Sequence, residues 1–421
     1  MRKDGKAGIL YFKCALPAAP KAQAGAVVYD LIGRKRENIV LNSENWKTYN
    51  AAGRKRIVVT KPLPGDLWLN RLIDADCKVE VYTATDVLGV DALRAAIGTR
   101  CDAVLGQLTE SWNDALFAAL KSAGGKAFSN VAVGYDNVDV EAATRYGIAV
   151  GNTPGVLTET TAQMAVALTF AAARRIGEAE RFLRAGKFKG WMMTLLLGEL
   201  LWRKTVGVIG AGRIGSAYAR MMVEGHKTNL IYYSPHPHPD LEADIAAYAD
   251  FLVSRRQKPV SCKRADTIED VLREADCVSL HAALNESTYH LINAERLALM
   301  KENALLVNTS RGPLIDEAAL VEHLRKHPNF RAALDVFEDE PDLKPGLGEL
   351  DNVVIVPHIA SATRWTREGM ATLAAGNAIG VLSGCPAWNK PDISPFLAED
   401  PPLASPSIIN AEALGLTLFD K

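Results

Sequence analysis

From Arg56 onward, short runs of β-branched and apolar residues alternate with stretches whose apolar positions recur every three or four residues. Alternation of these two periods is the pattern of an α/β chain built on parallel sheets. A first set of strands reads "RIVVTKP", "VEVYT", "DAVLGQL", "AFSNVAV" and "IAVGNT", with helical "DALRAAIG" and "VDVEAATRYG" among them. The pattern then predicts one long helix from Glu159 to Arg184, with Thr158 as N-cap and Thr161 in its first turn, long enough to join two domains. A second set is more regular: "TVGVI", "NLIYYS", "CVSLH", "ALLVNT", "AALDVF" and "VVIVPH", six strands separated by helices. One of these helices, "TIEDVLREA", opens with a Thr267–Asp270 cap spacing. Another, "DEAALVEHLRKH", carries acids at its start and bases at its end, matching the helix dipole. After "PHIASAT" the chain is helical again, and "PDISPFLAEDPPLASPS" reads as extended chain on the surface.

The stretch "VIGAGRIG" lies where a buried-type strand passes into a helix, and "NLIYYS" returns as the next strand. In that context its glycines have separate tasks: Gly210 permits the tight turn, Gly212 lets backbone N–H groups approach a phosphate, and Gly215 allows the helix to pack closely on the strand. The stretch is therefore expected to bind a dinucleotide. An acid usually follows about 20 residues later to hold the ribose 2′-hydroxyl. Here that place is taken by Ser234, which can still hydrogen-bond the ribose but does not repel a 2′-phosphate. No Arg or Lys follows it directly; the near neighbours are His236 and His238. NADH is the expected cofactor, with NADPH tolerated. The His-Pro-His pair is read as chance rather than a metal site, and no metal is expected.

Composition narrows the class without changing it. The 421 residues suffice for two domains with separate cores, and 48% hydrophobic with 23% charged residues is ordinary for a globular protein. A formal net charge of -1 argues against nucleic acid or an anionic membrane as main partner. The six cysteines form no C-x-x-C pair, which argues against a disulfide framework or a zinc site. Residues 1–54 are rich in Ala and Lys/Arg and poor in acids, as organelle transit peptides are. The C-terminus "TLFDK" is not a Ser-Lys-Leu address. The expected location is an organelle, the mitochondrion before cytosol or chloroplast, with the peroxisome disfavoured.

In a doubly wound sheet, ligands lie outside the carboxyl ends of the strands. Three residues stand just past such ends: Arg311 after "ALLVNTS", Glu340 after "AALDVFEDEP", and His358 after "VVIVP". Reducing a 2-keto acid requires a grip on the carboxylate, a polarised carbonyl and a proton for its oxygen. A guanidinium at Arg311 suits the first two. An imidazole at His358 suits the third, and Glu340 would pair with the imidazolium and keep it protonated. Singly, each is equally well read as a surface arginine, a solvated acid or a histidine at a strand end. Together at one sheet edge they predict a catalytic set.

These stretches also carry a resemblance. "VGYDNVDVEAATRYGIAVGNTPGVLTETTAQMA", "VGVIGAGRIGSAYARMM", "LVNTSRGPLIDEAALVEHL", "ALDVFEDEP" and "VVPHIASAT" resemble the D-isomer-specific 2-hydroxyacid dehydrogenases from about Arg56 to the C-terminus. "WTREGMATLAA" resembles the photorespiratory hydroxypyruvate-reductase branch of that family. The resemblance implies a Rossmann cofactor domain (166–360) inserted into a flavodoxin-like substrate domain (55–165), to which 361–421 returns. It places the family's Arg, Glu and His on Arg311, Glu340 and His358. It implies that Val133 and Gly134 offer N–H groups to the substrate carboxylate. Cofactor contacts would come from Thr161, Arg213, Ile214, Thr309, Asp335 and Ala360, with Asp335 near the nicotinamide amide. A homodimer formed through the cofactor domain is also implied. The activity so expected is NADH-linked reduction of hydroxypyruvate to D-glycerate, with glyoxylate accepted. The alternatives are phosphoglycerate or formate oxidation, and a non-enzymatic NAD(H)-sensing co-repressor, which would have no need of the Arg/Glu/His set.

Overall fold

The computed structural model describes residues 40–41 and 45–419. Most of the proposed transit peptide, residues 1–39 and 42–44, therefore lies outside the described residues.

Two seven-stranded sheets organise the chain. The first holds β1 (Val40–Leu41), β2 (Trp46–Tyr49), β3 (Lys55–Val59), β4 (Cys77–Tyr82), β5 (Ala103–Gly106), β6 (Ala127–Asn130) and β7 (Ala149–Gly151), in the order β1-β2-β4-β3-β5-β6-β7. Strands β3 to β7 are parallel and follow the flavodoxin-like order, while β1 and β2 add an antiparallel edge. Trp46–Tyr49 thus pairs with β4, so the ordered sheet begins upstream of residue 55, where the sequence reading placed its start. The two-residue β1 and the polar "WKTY" of β2 were too short and too mixed to register as strands.

The second sheet holds β8 (Thr205–Ile209), β9 (Asn229–Tyr233), β10 (Cys262–Arg264), β11 (Cys277–Leu280), β12 (Leu305–Asn308), β13 (Arg331–Leu334) and β14 (Val353–Ile355). All are parallel, in the order β10-β9-β8-β11-β12-β13-β14. The chain reverses its direction of winding between β8 and β11, which opens the crevice that binds dinucleotides in such sheets. Six of the seven strands match the expected ones. The seventh, β10, is a three-residue "CKR" edge without an apolar run, so periodicity could not find it.

The expected helix Glu159–Arg184 is two helices, Thr158–Ala173 and Ile176–Arg184. Leu157, not Thr158, is the N-cap, and the break falls at Arg175, which adopts a left-handed φ of 54°. Neither Gly nor Pro marks the break; Arg175 is held there by a two-point pair with Glu178, at 2.7 and 2.6 Å. The first helix packs Ala162, Ala165, Leu168 and Ala172 into the second-sheet core with Val206, Val208 and Tyr218.

The helix Arg364–Leu382 returns to the first sheet. Its small residues Ala371, Ala374, Ala375 and Ala378 recur on one face and pack against Ile57, Val59 and Leu105. Buried Asn377 fixes the register by donating to the Asn152 carbonyl at 2.9 Å and accepting from the Ser407 N–H at 2.8 Å. The Pro-rich tail is more than surface chain. Ile393, Phe396 and Ala404 are buried in a cluster with Val156, Met370 and Leu373, because the tail's scattered apolar residues close that end of the helix. Among the described residues, no helix is long and apolar enough to cross a membrane.

Candidate active site

The turn after β8 is built as the glycine spacing requires. Gly210 has a φ of 93°, and a Cβ there would fall 2.7 Å from the Ala282 nitrogen. A Cβ at Gly215 would fall 2.1 Å from the Gly210 carbonyl oxygen, so only glycine lets the helix Arg213–His226 start this close to the strand. Gly212 faces open space and serves as N-cap without a side-chain acceptor. No acid occupies the first helical turn, and Arg213 adds a cation there. Unpaired N–H groups, the positive dipole end and a guanidinium together call for an anion.

Gly212 and Arg213 line a cavity of about 670 Å³ shared with Thr158, Ser216 and His238. Thr161 is buried in the first turn of the neighbouring helix. Ile214 packs both against the second-sheet core and against the cluster of Val156 and Leu157, at the seam between the two sheets. Ser234 is buried just past β9, with its Oγ 3.0 Å from His238 Nε2. Thr309, just past β12, is buried with a hydroxyl that has no partner among the described residues. A buried hydroxyl left unpaired is costly unless a ligand completes it. The cradle at Gly212 and the orphan at Thr309 both fit a dinucleotide.

The catalytic candidates follow three adjacent strands. Arg311 lies beyond β12, Glu340 beyond β13 and His358 beyond β14. None of the three lines the 670 Å³ cavity, which lies at the Gly212–Arg213 turn.

Asn308 shapes the loop carrying Arg311: its side chain donates to the Arg311 carbonyl at 2.8 Å and accepts from the Ser310 N–H at 3.0 Å. The guanidinium then crosses to the first-sheet domain, where Nε donates to Asp136 Oδ1 at 2.8 Å. Its Nη2 lies so near Gly134 that a Cβ there would be 1.8 Å away. The loop after β6 is pinned by its carbonyls. Val133 accepts from Asn152 Nδ2 and Gly134 from Asn130 Nδ2, each at 2.9 Å. The N–H groups of Val133 and Gly134 have no acceptor among the described residues. Two free N–H groups beside a guanidinium form a receptor for a carboxylate.

His358 Nδ1 lies 2.9 Å from Glu340 Oε2, and Glu340 Oε1 accepts the Phe337 N–H at 3.0 Å. His358 Nε2 has no partner among the described residues. Burial alone would raise the Glu340 carboxyl. The bond and charge of His358, the Phe337 N–H and the Arg311 charge outweigh it and hold the group below its usual range.

His358 sits at a φ of 49°, an uncommon conformation for a side-chain-bearing residue. Asp335 enforces it. Its carbonyl accepts the His358 N–H at 2.9 Å, and its two carboxylate oxygens accept the N–H groups of Ile359 at 2.6 Å and Ala360 at 2.8 Å. Burial raises the Asp335 carboxyl, against the pull of these N–H groups. In the structure, Asp335 and Ala360 are thus joined in the turn that aims the histidine.

Residues 166–360 match the model of the D-isomer specific 2-hydroxyacid dehydrogenase NAD binding domain. The chain is 59% identical over 374 residues to the Arabidopsis thaliana protein named "Glycerate dehydrogenase HPR, peroxisomal", covering 88% of this chain and 97% of that one. The chain belongs to the D-isomer-specific 2-hydroxyacid dehydrogenases. It is also 46% identical over 264 residues to a glyoxylate reductase of Thermococcus litoralis, covering 62% of this chain and 74% of the relative. A crystal structure of a Thermus thermophilus protein superposes with a TM-score of 0.70 at 35% identity, over 84% of this chain and 99% of that one. The chain is accordingly an NAD-binding oxidoreductase of this family.

One expectation is overturned. The Arabidopsis relative is named peroxisomal, which conflicts with the preference for a mitochondrion and with the peroxisome being disfavoured. Composition of an N-terminal stretch and one C-terminal tripeptide are weak guides, because such addresses are read by receptors rather than set by bulk chemistry.

Sequence reasoning also missed residues whose roles depend on tertiary contact. Asp136 meets Arg311 across 175 positions, and Arg264 reaches the Ser234 carbonyl from the unrecognised β10. Among the described residues no group of three or more His, Cys, Asp or Glu is placed to hold a metal.

Proposed function

We propose that this chain reduces hydroxypyruvate to D-glycerate with NADH, and glyoxylate to glycolate as a side activity, as a step of photorespiration. The observation that carries the reading is the meeting of the free Val133 and Gly134 N–H groups, Arg311 and the Glu340–His358 pair across two domains. The names of the Arabidopsis and Thermococcus relatives support the choice of substrates. Residues 166–360 would hold the cofactor, with the substrate loop on the first-sheet domain.

The nicotinamide, when bound, supplies the hydride. Thr161, Gly210, Gly212, Arg213, Ile214, Gly215, Ser234, Thr309, Asp335 and Ala360 are the residues assigned to the cofactor's side of the crevice. The substrate carboxylate is held by the Val133 and Gly134 N–H groups and by Arg311, which also polarises the 2-keto oxygen. As that oxygen gains charge, His358 Nε2 delivers a proton to it, and the Glu340 carboxylate stabilises the imidazolium before transfer. Closure of the cleft, with the Asp136–Arg311 pair at its seam, excludes water from the transfer.

The deciding experiment follows NADH absorbance, falling when hydroxypyruvate or glyoxylate is offered with NADH and rising if 3-phosphoglycerate or formate is oxidised when offered with NAD+. Hydroxypyruvate should give the highest kcat/KM. No NADH oxidation with any keto acid would favour the sensing co-repressor instead.

Glu340→Gln checks the pairing. Glu340 is ionised throughout the neutral range because its carboxyl is held low. Reduction needs imidazolium and fails as pH rises past the point where His358 loses its proton. Glu340→Gln removes the negative charge that lies 2.9 Å from His358 Nδ1, so the alkaline limb of kcat/KM should move to lower pH. An unmoved limb would show that the two groups are not coupled in the working enzyme.

We also propose that the chain forms a homodimer through the cofactor-domain side. Support comes from the helix Ile176–Arg184, which buries none of its residues, and from the following segment, where Trp191 is 78%, Met193 75% and Leu200 68% exposed. An apolar surface of this extent is normally covered. Trp191→Glu combined with Leu200→Glu should halve the mass measured by sedimentation; an unchanged mass would assign this surface to something else.

A further inference from the structure

We infer that Arg264 is the cation for a 2′-phosphate, so that this chain takes NADPH as a second reductant at the cofactor site. The inference rests on the dinucleotide reading above and goes beyond it in naming the recognising group.

The ribose next to the adenine lies outside the end of the second strand in such sheets. In this chain that place is held by Ser234, whose neutral hydroxyl is engaged with His238 Nε2. His238 lines the same cavity as Gly212 and Arg213, so the Ser234 corner is continuous with the phosphate cradle. The strand-end residue itself carries no carboxylate to repel a second phosphate, and the Glu242 carboxylate nearby accepts the Tyr232 hydroxyl.

Arg264 is the last residue of β10, paired in register with Tyr232 on β9. Its Nη2 donates to the Ser234 carbonyl at 3.2 Å and more weakly to the Pro235 carbonyl at 3.4 Å. These two contacts hold the guanidinium beside the ribose position. Both acceptors are neutral, and Arg264 makes no ion pair among the described residues, so its charge is uncompensated. Nε and Nη1 make no bond among the described residues and remain able to donate. A guanidinium with free N–H donors beside a neutral serine is the arrangement that accepts a phosphate monoester. Glu159 and Asp240 also line the cavity, and their charges oppose a large preference for the phosphorylated cofactor. The balance points to use of both cofactors, with NADH still ahead.

The test uses the full-length chain, measuring kcat/KM for NADPH and NADH at saturating hydroxypyruvate, and dissociation constants by fluorescence. Arg264→Gln should lower the NADPH/NADH ratio of kcat/KM by at least ~10-fold, through loss of a charge-assisted contact. Ser234→Asp should lower it by a similar factor, because the new carboxylate both repels the phosphate and neutralises Arg264. Raising ionic strength should lower the ratio in the unaltered chain and leave it nearly flat in Arg264→Gln. A ratio that neither substitution moves, while NADH turnover persists, overturns the role of Arg264 and leaves the cofactor site standing. Absence of NADPH turnover in the unaltered chain overturns it equally. Failure to bind either dinucleotide would bring down both readings.

Discussion

Replacing His358 with glutamine should slow hydroxypyruvate reduction by about 10³-fold, within the range that a positioned acid contributes. Glutamine keeps much of the length and the hydrogen-bonding ability of histidine, so a role limited to orienting the substrate would survive. What it cannot do is give up a proton near neutral pH. The proposed mechanism gives that function to one atom, because Nδ1 is engaged by Glu340 at 2.9 Å and Nε2 has no partner among the described residues. The loss should therefore appear in the hydride-transfer step, read in a single turnover from NADH absorbance. The dissociation constant of NADH should change little, because the cradle at Gly210, Gly212 and Gly215 lies beyond β8, on the other side of the winding reversal. A single-turnover rate within tenfold of the unaltered chain would remove His358 as the proton donor.

The features legible in the sequence were those decided within a few residues of chain. The glycine turn could be read because each glycine answers a local demand: a φ of 93° at Gly210, and a carbonyl 2.1 Å from a hypothetical Cβ at Gly215. Arg311, Glu340 and His358 could be read because strand ends converge on one crevice whatever the details of packing. What stayed hidden was tertiary. Nothing in "ARRIG" signals that Arg175 turns left-handed, since the pair with Glu178 imposes it rather than a breaker residue. The polar "WKTY" is a half-buried strand next to the edge of its sheet and "CKR" is an edge strand, places where hydrophobic periodicity is weakest. Missing the second of these also hid Arg264, whose guanidinium donates to the Ser234 carbonyl. Asp136 reads as an ordinary loop acid until folding sets it against Arg311.

Arg311→Lys should lower kcat/KM for hydroxypyruvate by about 100-fold or more, equivalent to about 2.7 kcal/mol of transition-state stabilisation. Charge is conserved in this substitution, so what it tests is geometry. The guanidinium divides its donors: Nε goes to Asp136 at 2.8 Å and Nη1 to the Ser310 carbonyl at 2.8 Å, while Nη2 lies against Gly134 beside the two free N–H groups. An ammonium has one nitrogen for all these places. In the lysine variant, Asp136 from the opposite domain and the substrate carboxylate would compete for it. KM should rise because the carboxylate loses its two-point grip. The value of kcat should fall as well, because the polarising charge no longer lies in the plane of the keto oxygen. Asp136→Asn in the lysine background separates the two causes: relief from competition should recover part of KM and none of kcat. If Arg311→Lys alone retains near-normal kcat/KM, the guanidinium plane is not what holds the substrate. The carboxylate grip would then fall to the Val133 and Gly134 N–H groups.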